Sequence, residues 1–249
     1  ANPNGDPQMD NRPRTNYNGF GFISDVCLKR KVRNRMQDEG AEIYVQSDER
    51  IEDDCKSLQA RAEAYPELMD AVKVGDSGLV LELACKRWAD VRAFGNLFAF
   101  SSVSTKKRGR KSGKAEDNEP AEETTSSVGG VSLGIRGPVT VQQAYSISPI
   151  EIEDTQIVKS TNGTTDTGRS SDRMGHQYRV PYGIYVTYGS INSRLAERTG
   201  LTEDDANLIR HCLETLFEND ESAARPSGSM DVLQVIWWEH ESRDASVPS

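Results

Sequence analysis

Residues 2–34 read NPNGDPQMDNRPRTNYNGFGFISDVCLKRKVRN. The stretch divides in two. Residues 1–22 are turn chemistry, with Asn4-Gly5, Asp6-Pro7, Gly19 and Gly21 and little hydrophobic periodicity. Ser24 or Asp25 then caps a helix that the pattern carries to about Gln37. Lys29, Arg30 and Arg33 share an arc of roughly 100° on that helix. Like charges at i and i+4 repel by about a few tenths of a kcal/mol, and Asp25, four residues before Lys29, offsets part of that. A bound anion would offset more. With Arg12 and Arg14 isolated in the preceding turns, loop and helix together make a basic cradle at one end of the chain.

The rest of the chain is acidic. Its 249 residues carry a formal charge of −9, 35% are hydrophobic, and the mean hydropathy is −0.66. That length suits one large domain or two small ones. No run approaches the roughly 20 apolar residues of a membrane span, and the first twenty residues lack the apolar core of a signal peptide. Cys27, Cys55, Cys85 and Cys212 are widely spaced without a C-x-x-C pair, which points to reduced, mostly buried thiols in a cytosol. His176, His211 and His240 are too scattered to build a metal site. Positive charge gathers in 12–35 and 106–114, and acid in 48–54, 116–123, 203–205 and 214–221. A chain polarised in this way can hold a polyanion on one face and stay in solution through the other.

Further along, residues 42–46 read as a short strand, 52–73 as a helix interrupted at Pro66, and 80–92 as a third helix. Residues 101–128 are low-complexity, first basic and then acidic, and are expected to form a disordered or mobile surface loop. Residues 131–147 alternate as strands. Residues 150–180 form a polar excursion around Asn162-Gly163, a turn signal that fits a protruding β-hairpin. A strand at 183–191, a helix from Thr202 to about Asn219 and an apolar strand at 232–238 complete the pattern. Strand, helix and strand thus occur early and again late. The expected fold is α+β, a ferredoxin-like sheet with insertions, whose opening strand would precede Ala1.

Enzyme motifs are few. There is no G-x-x-x-x-G-K-[ST], no G-x-G-x-x-G opening a helix and no nucleophile elbow. The best catalytic candidates are Asp6 and Asp10, carboxylates in a turn-rich loop beside arginines. Binding is the stronger reading. Arg12, Arg14, Lys29, Arg30 and Arg33 flank one Gly-rich loop and one helix, and each alone would be an ordinary surface charge. Aromatic residues make up 7%, too few for a stacking platform on every strand, so the cradle is expected to grip backbone and shape, not base identity. Met174 is either a wedge between bases or ordinary packing.

Several motifs carry a resemblance. They are Asn2-Pro3-Asn4-Gly5-Asp6-Pro7, Arg12-Pro13-Arg14, residues 21–34, Asp90-Val91-Arg92-Ala93-Phe94-Gly95 and Ile135-Arg136-Gly137-Pro138-Val139. Asp172-Arg173-Met174-Gly175 leading into residues 180–185, and Phe217-Glu218-Asn219-Asp220 with Ser222-Ala223-Ala224-Arg225, complete the set. In this order they resemble the repeating backbone subunit of CRISPR effector complexes, a RAMP-superfamily protein, in particular its type I-C Cascade form. Residues 104–128 and the absent opening strand depart from the family pattern.

The resemblance implies a single RAMP-like domain over residues 1–249, with an RRM/ferredoxin-like palm, a helical fingers insertion at 40–90 and a thumb hairpin at 150–180. It implies a non-catalytic, prokaryotic, cytoplasmic subunit without cofactor or metal. Its partners would be CRISPR RNA, target DNA, other copies of itself and other Cascade subunits, with no membrane. Arg12, Arg14, Lys29, Arg30 and Arg33 would hold the guide backbone, Arg92 and Arg136 would join them, and Met174 would be the wedge. Two alternatives stay open: a metal-dependent ribonuclease using Asp6 or Asp10, and an anion-binding regulatory module acting through residues 1–35.

Overall fold

The computed structural model describes residues 1–99, 132–159 and 173–240. The expected loop at 101–128 and the Asn162-Gly163 turn lie outside the described residues. The N-terminal turns hold two short strands, β1 (Gly5–Asp6) and β2 (Arg12–Pro13), followed by β3 (Phe20–Ile23) and the helix α1 (Asp25–Asp38). Helices α2 (Leu58–Glu63), α3 (Pro66–Val74), α4 (Ser77–Arg87) and α5 (Ala89–Phe94) follow, then strands β4 (Gly95–Ala99), β5 (Ser132–Arg136), β6 (Val139–Val141) and β7 (Ala144–Pro149). A hairpin of β8 (Glu153–Lys159) and β9 (Arg173–Arg179) leads to β10 (Tyr185–Val186), β11 (Gly189–Ile191), α6 (Ser193–Thr199) and α7 (Glu203–Glu214). The fold is mixed α+β, and every strand pairing is antiparallel.

Two hydrophobic cores organise it. In the first, α1 sets Cys27, Leu28, Val32 and Met36 against Ile209, Cys212 and Leu216 of α7 and the turn after it, with Ile23, Val139 and Ala144 beneath. In the second, Leu68, Ala71, Val80, Ala84 and Cys85 of α3 and α4 surround Trp88, Phe98 and Tyr44. Trp88 is its hub: its ring lies 4.6 Å from that of Tyr44 and meets Tyr65 edge-on at 5.8 Å. Helix α5 is the seam, for Ala89 and Ala93 enter the first core while Val91 enters the second.

Asp90 stands on that seam with no exposed surface. Its carboxylate accepts the backbone N–H of Tyr44 at 2.7 Å and of Val45 at 3.1 Å, and Arg33 Nε of α1 donates to it at 2.9 Å. This explains why residues 42–46 are not the expected strand. The backbone donors at their centre, Tyr44 and Val45, are taken by a side chain, so the segment runs irregularly over the seam. Arg61 fixes the continuation by donating to Tyr44 O at 2.7 Å, to Cys55 O at 3.2 Å and to both carboxylate oxygens of Asp53. The expected helix at 52–73 accordingly begins only at α2, capped by Ser57, and breaks before Pro66. The third helix breaks at Trp88, whose extended backbone turns the chain from α4 into α5.

Two glycines allow the closest backbone approach. Gly95, at φ +75°, and Gly137 lie against each other where β4 leaves α5 and β5 ends; a methyl group on Gly137 would collide with Phe94 and the Ala93 carbonyl. The sheets themselves are small, the largest having the order β10-β7-β3. Residues 232–238 form no strand. Leu233, Ile236 and Trp238 are exposed, and among the described residues no strand lies alongside to accept the segment into a ladder. At the C-terminal end, α7 matches its expected start: Thr202 and Asp205 close a reciprocal capping box.

Asp90→Ala strands Arg33 and two backbone N–H groups together. The expected loss is about 3–5 kcal/mol in urea unfolding; a change below about 1 kcal/mol would show the seam is held by packing alone. Gly137→Ala is expected to cost about 1–3 kcal/mol or more by forced backbone displacement, read as a lowered thermal midpoint.

Candidate functional site

The N-terminal loop is built by side chains that satisfy its own backbone. Asp6 Oδ1 accepts Gln8 N–H at 3.1 Å and caps the turn Pro7–Met9. Asp10 and Asn11 follow in left-handed conformations at φ 54° and 60°, a geometry Asp and Asn tolerate. Asn4 Oδ1 accepts the Ser24 N–H at 3.0 Å, and Ser24 Oγ accepts the Cys27 N–H at 3.3 Å, which ties the loop to the start of α1. Ala1 exchanges backbone hydrogen bonds with Val180, and Asn2 N–H donates to Ala224 O at 2.8 Å. The loop is thus pinned between the end of the hairpin and the Ser222–Arg225 turn.

The cradle cations fall into two groups. Arg30 on α1 and Arg136 at the end of β5 are exposed and have no ion-pair partner among the described residues. Arg12 is exposed too, with its guanidinium 5.6 Å from the Tyr178 ring centre. Lys29 is half-buried and 3.2 Å from Asp25, the spacing read from the sequence. The others face inward. Arg14 lies 3.3 Å from Asp6. Arg33 pairs with Asp90 and lies over Phe94 at 5.1 Å. Arg92 makes a bidentate pair with Asp205 at 2.8 and 2.6 Å and donates to Cys85 O at 2.5 Å. Met174 lies in β9 opposite Val158, and its side chain is outside the described residues.

Lys31 is a residue the sequence reading passed over. Its side chain is fully buried, paired with Asp220, which also accepts from Arg225 Nε at 2.9 Å, and its ammonium lies 5.4 Å from the Phe217 ring centre. Burial, only partly opposed by the Asp220 carboxylate, draws its pKa below the ordinary lysine value. The signal was present: Lys31 is four residues after Cys27 and three after Leu28, on the arc that α1 buries.

Asp6 is occupied by its cap and by Arg14, and Asp10 is exposed. Among the described residues no three His, Cys, Asp or Glu side chains converge as metal ligands, and no helix is long and apolar enough to cross a membrane. All four cysteines are free thiols; burial pushes Cys85 up to about 11 and Cys212 up to about 12, which leaves them unreactive at neutral pH.

On the hairpin, His176 Nδ1 lies 2.8 Å from Asp154 Oδ1. The hydrogen bond to that carboxylate raises the His176 pKa above its ordinary value, and Asp10 adds to the effect.

What fold and site define together is a class: an α+β protein that turns a loop-and-helix set of cations outward from an otherwise acidic body. The family model for CRISPR-associated protein Cas7 matches residues 1–249, and the chain belongs to that family. It is 32% identical over 247 residues to the "CRISPR-associated protein Cas7" of Haloferax volcanii, an alignment covering 94% of this chain and 66% of that relative. The chain therefore spans just under two thirds of the relative's length. A solved chain described as "CRISPR RNA-guided surveillance complex, pre-nicking" superposes with a TM-score of 0.42 at 17% identity, covering 87% of this chain and 65% of that one.

Because its folded-state pKa is raised, protonated His176 strengthens the link between β8 and β9 at low pH, and that contribution fades as pH rises through the folded value. An NMR titration is expected to place His176 above the usual histidine midpoint and to return it there in Asp154→Asn. An unshifted wild-type midpoint would refute the pairing in solution.

Proposed function

We propose that this chain is a non-catalytic backbone subunit that holds CRISPR RNA in an antiviral effector complex. The observation that carries the reading is the set of outward cations, Arg12, Lys29, Arg30 and Arg136, presented by a Cas7-family chain of net charge −9. On such a chain, unpaired arginines beside a rigid loop are suited to phosphate, and sequence-independent contact is what a guide holder needs, since base pairing reads the target.

The finer assignments belong to the same proposal. The small sheets around β7 and β10 are part of an RRM/ferredoxin-like palm. Residues 40–90 supply helical fingers, and the β8–β9 hairpin is the thumb, with Met174 as its wedge. Copies pack along the RNA with other subunits of a type I-C-like Cascade and support recognition of target DNA in a prokaryotic cytoplasm. Direct backbone contact is assigned to Arg12, Lys29, Arg30 and Arg136. Arg14, Arg33 and Arg92 act on the RNA indirectly, by holding the loop, α1 and α5 in place. The occupied state of Asp6 favours holding over cutting.

The test is the salt dependence of binding to single-stranded RNA. Arg30→Ala with Arg136→Ala is expected to weaken binding uniformly across sequences. The log–log salt slope should fall by about 0.7 for each lost phosphate contact, with an unchanged circular dichroism spectrum. An identical slope would remove these residues from the interface, and RNA cleavage abolished by Asp10→Ala would replace holding with catalysis.

A further inference from the structure

Arg12, Tyr178 and His176 form a column of flat groups at the foot of the hairpin. His176 and Tyr178 are two residues apart on β9 and share one face of it, with ring centres 6.0 Å apart and planes only 15° from parallel. Arg12 reaches across from β2 and lays its guanidinium over the same tyrosine at 5.6 Å. The column spans two elements, loop and hairpin. None of its members belongs to either hydrophobic core. Asp154 on the neighbouring strand fixes His176 at 2.8 Å, yet nearly half of the histidine side chain (45%) stays exposed. A half-buried aromatic ring flanked by two groups that are or can become cationic, one of them the partly exposed His176, is matched to a flat, electron-rich partner.

The geometry points to a base-stacking platform, in which Arg12, Tyr178 and His176 receive the face of one unpaired nucleobase of a single-stranded nucleic acid. This rests on the reading of the chain as an RNA holder and adds to it a contact that the low aromatic content argued against. Gln177 and Arg179 alternate with the two rings and so project from the opposite face of β9, where Gln177 Nε2 donates to Ala223 O at 3.4 Å and Gln177 Oε1 accepts from Arg179 Nη2 at 3.2 Å. On the platform's own face β9 offers the two rings, which present flat surfaces to the face of a base. Every base offers such a face, so the contact tolerates any sequence, as a guide holder requires. Arg12 serves both parts of the interface, with its guanidinium 5.6 Å from the Tyr178 ring centre and its N–H groups turned to the adjoining phosphate.

The experiment compares the full chain's affinity for a single-stranded RNA and for an abasic oligomer of equal length at one salt concentration. Wild type is expected to prefer the RNA. Tyr178→Ala should weaken RNA binding about 30-fold, the middle of the range for one stacked base, and leave the abasic oligomer unaffected, while Tyr178→Phe stays within about twofold of wild type. A 2-aminopurine placed along the RNA should be quenched by wild type and less so by His176→Ala, a surface change that keeps the test valid if Tyr178→Ala misfolds. Equal losses on both oligomers, or none, would overturn the platform. Wild-type binding that is salt-sensitive but indifferent to bases would overturn it while leaving the backbone grip standing; wild-type binding to neither oligomer would overturn both.

Discussion

The carboxylate of Asp90 is the constraint on which the rest of this molecule depends. A charge with no exposed surface is costly unless it is paired and hydrogen-bonded, which takes several donors. Here two backbone N–H groups and one guanidinium supply them. The donors come from α1 and from the segment after it, and Asp90 itself belongs to the helix that enters both cores. One residue thus fixes where α1 lies, where residues 44–45 run and how the two cores abut. The position of α1 in turn decides where Arg30 points.

The same economy governs the other cations. The body of the protein is acidic, and it draws several arginines inward: Arg33 to Asp90, Arg92 to Asp205, and Arg35 to Asp38 and Glu39. Arg50 adds a second contact to Asp38 and reaches Asn219 O, joining α1 to the turn after α7. Arg30 and Arg136, which have no such partner among the described residues, stay exposed.

Elements with strong local signals were legible in the sequence. Ser24 capping α1 and the Thr202/Asp205 start of α7 rest on interactions within a few residues. Failures arose where a distant group intervened. Residues 42–46 have strand composition, but Asp90 takes the backbone donors of Tyr44 and Val45. Residues 232–238 have the apolar run of a buried strand, but a strand is defined by its neighbour, which composition does not reveal. For the site, residue type gave the cradle and could not rank its members. Arg30 and Arg33 look alike on a helical wheel, and only the carboxylate of Asp90, 57 residues after Arg33, distinguishes them. Tyr178 and His176 were hidden because an average aromatic content says nothing about two rings on one face of a strand.

Asp205 holds a double appointment. Its carboxylate closes the cap of α7 with Thr202 and also clamps Arg92. Lengthening it to glutamate, or moving the arginine, would disturb a helix start and an inter-helix brace at one stroke. Positions 92, 202 and 205 are therefore mechanically coupled through one carboxylate. The coupling reaches the surface, where Thr202 lies exposed.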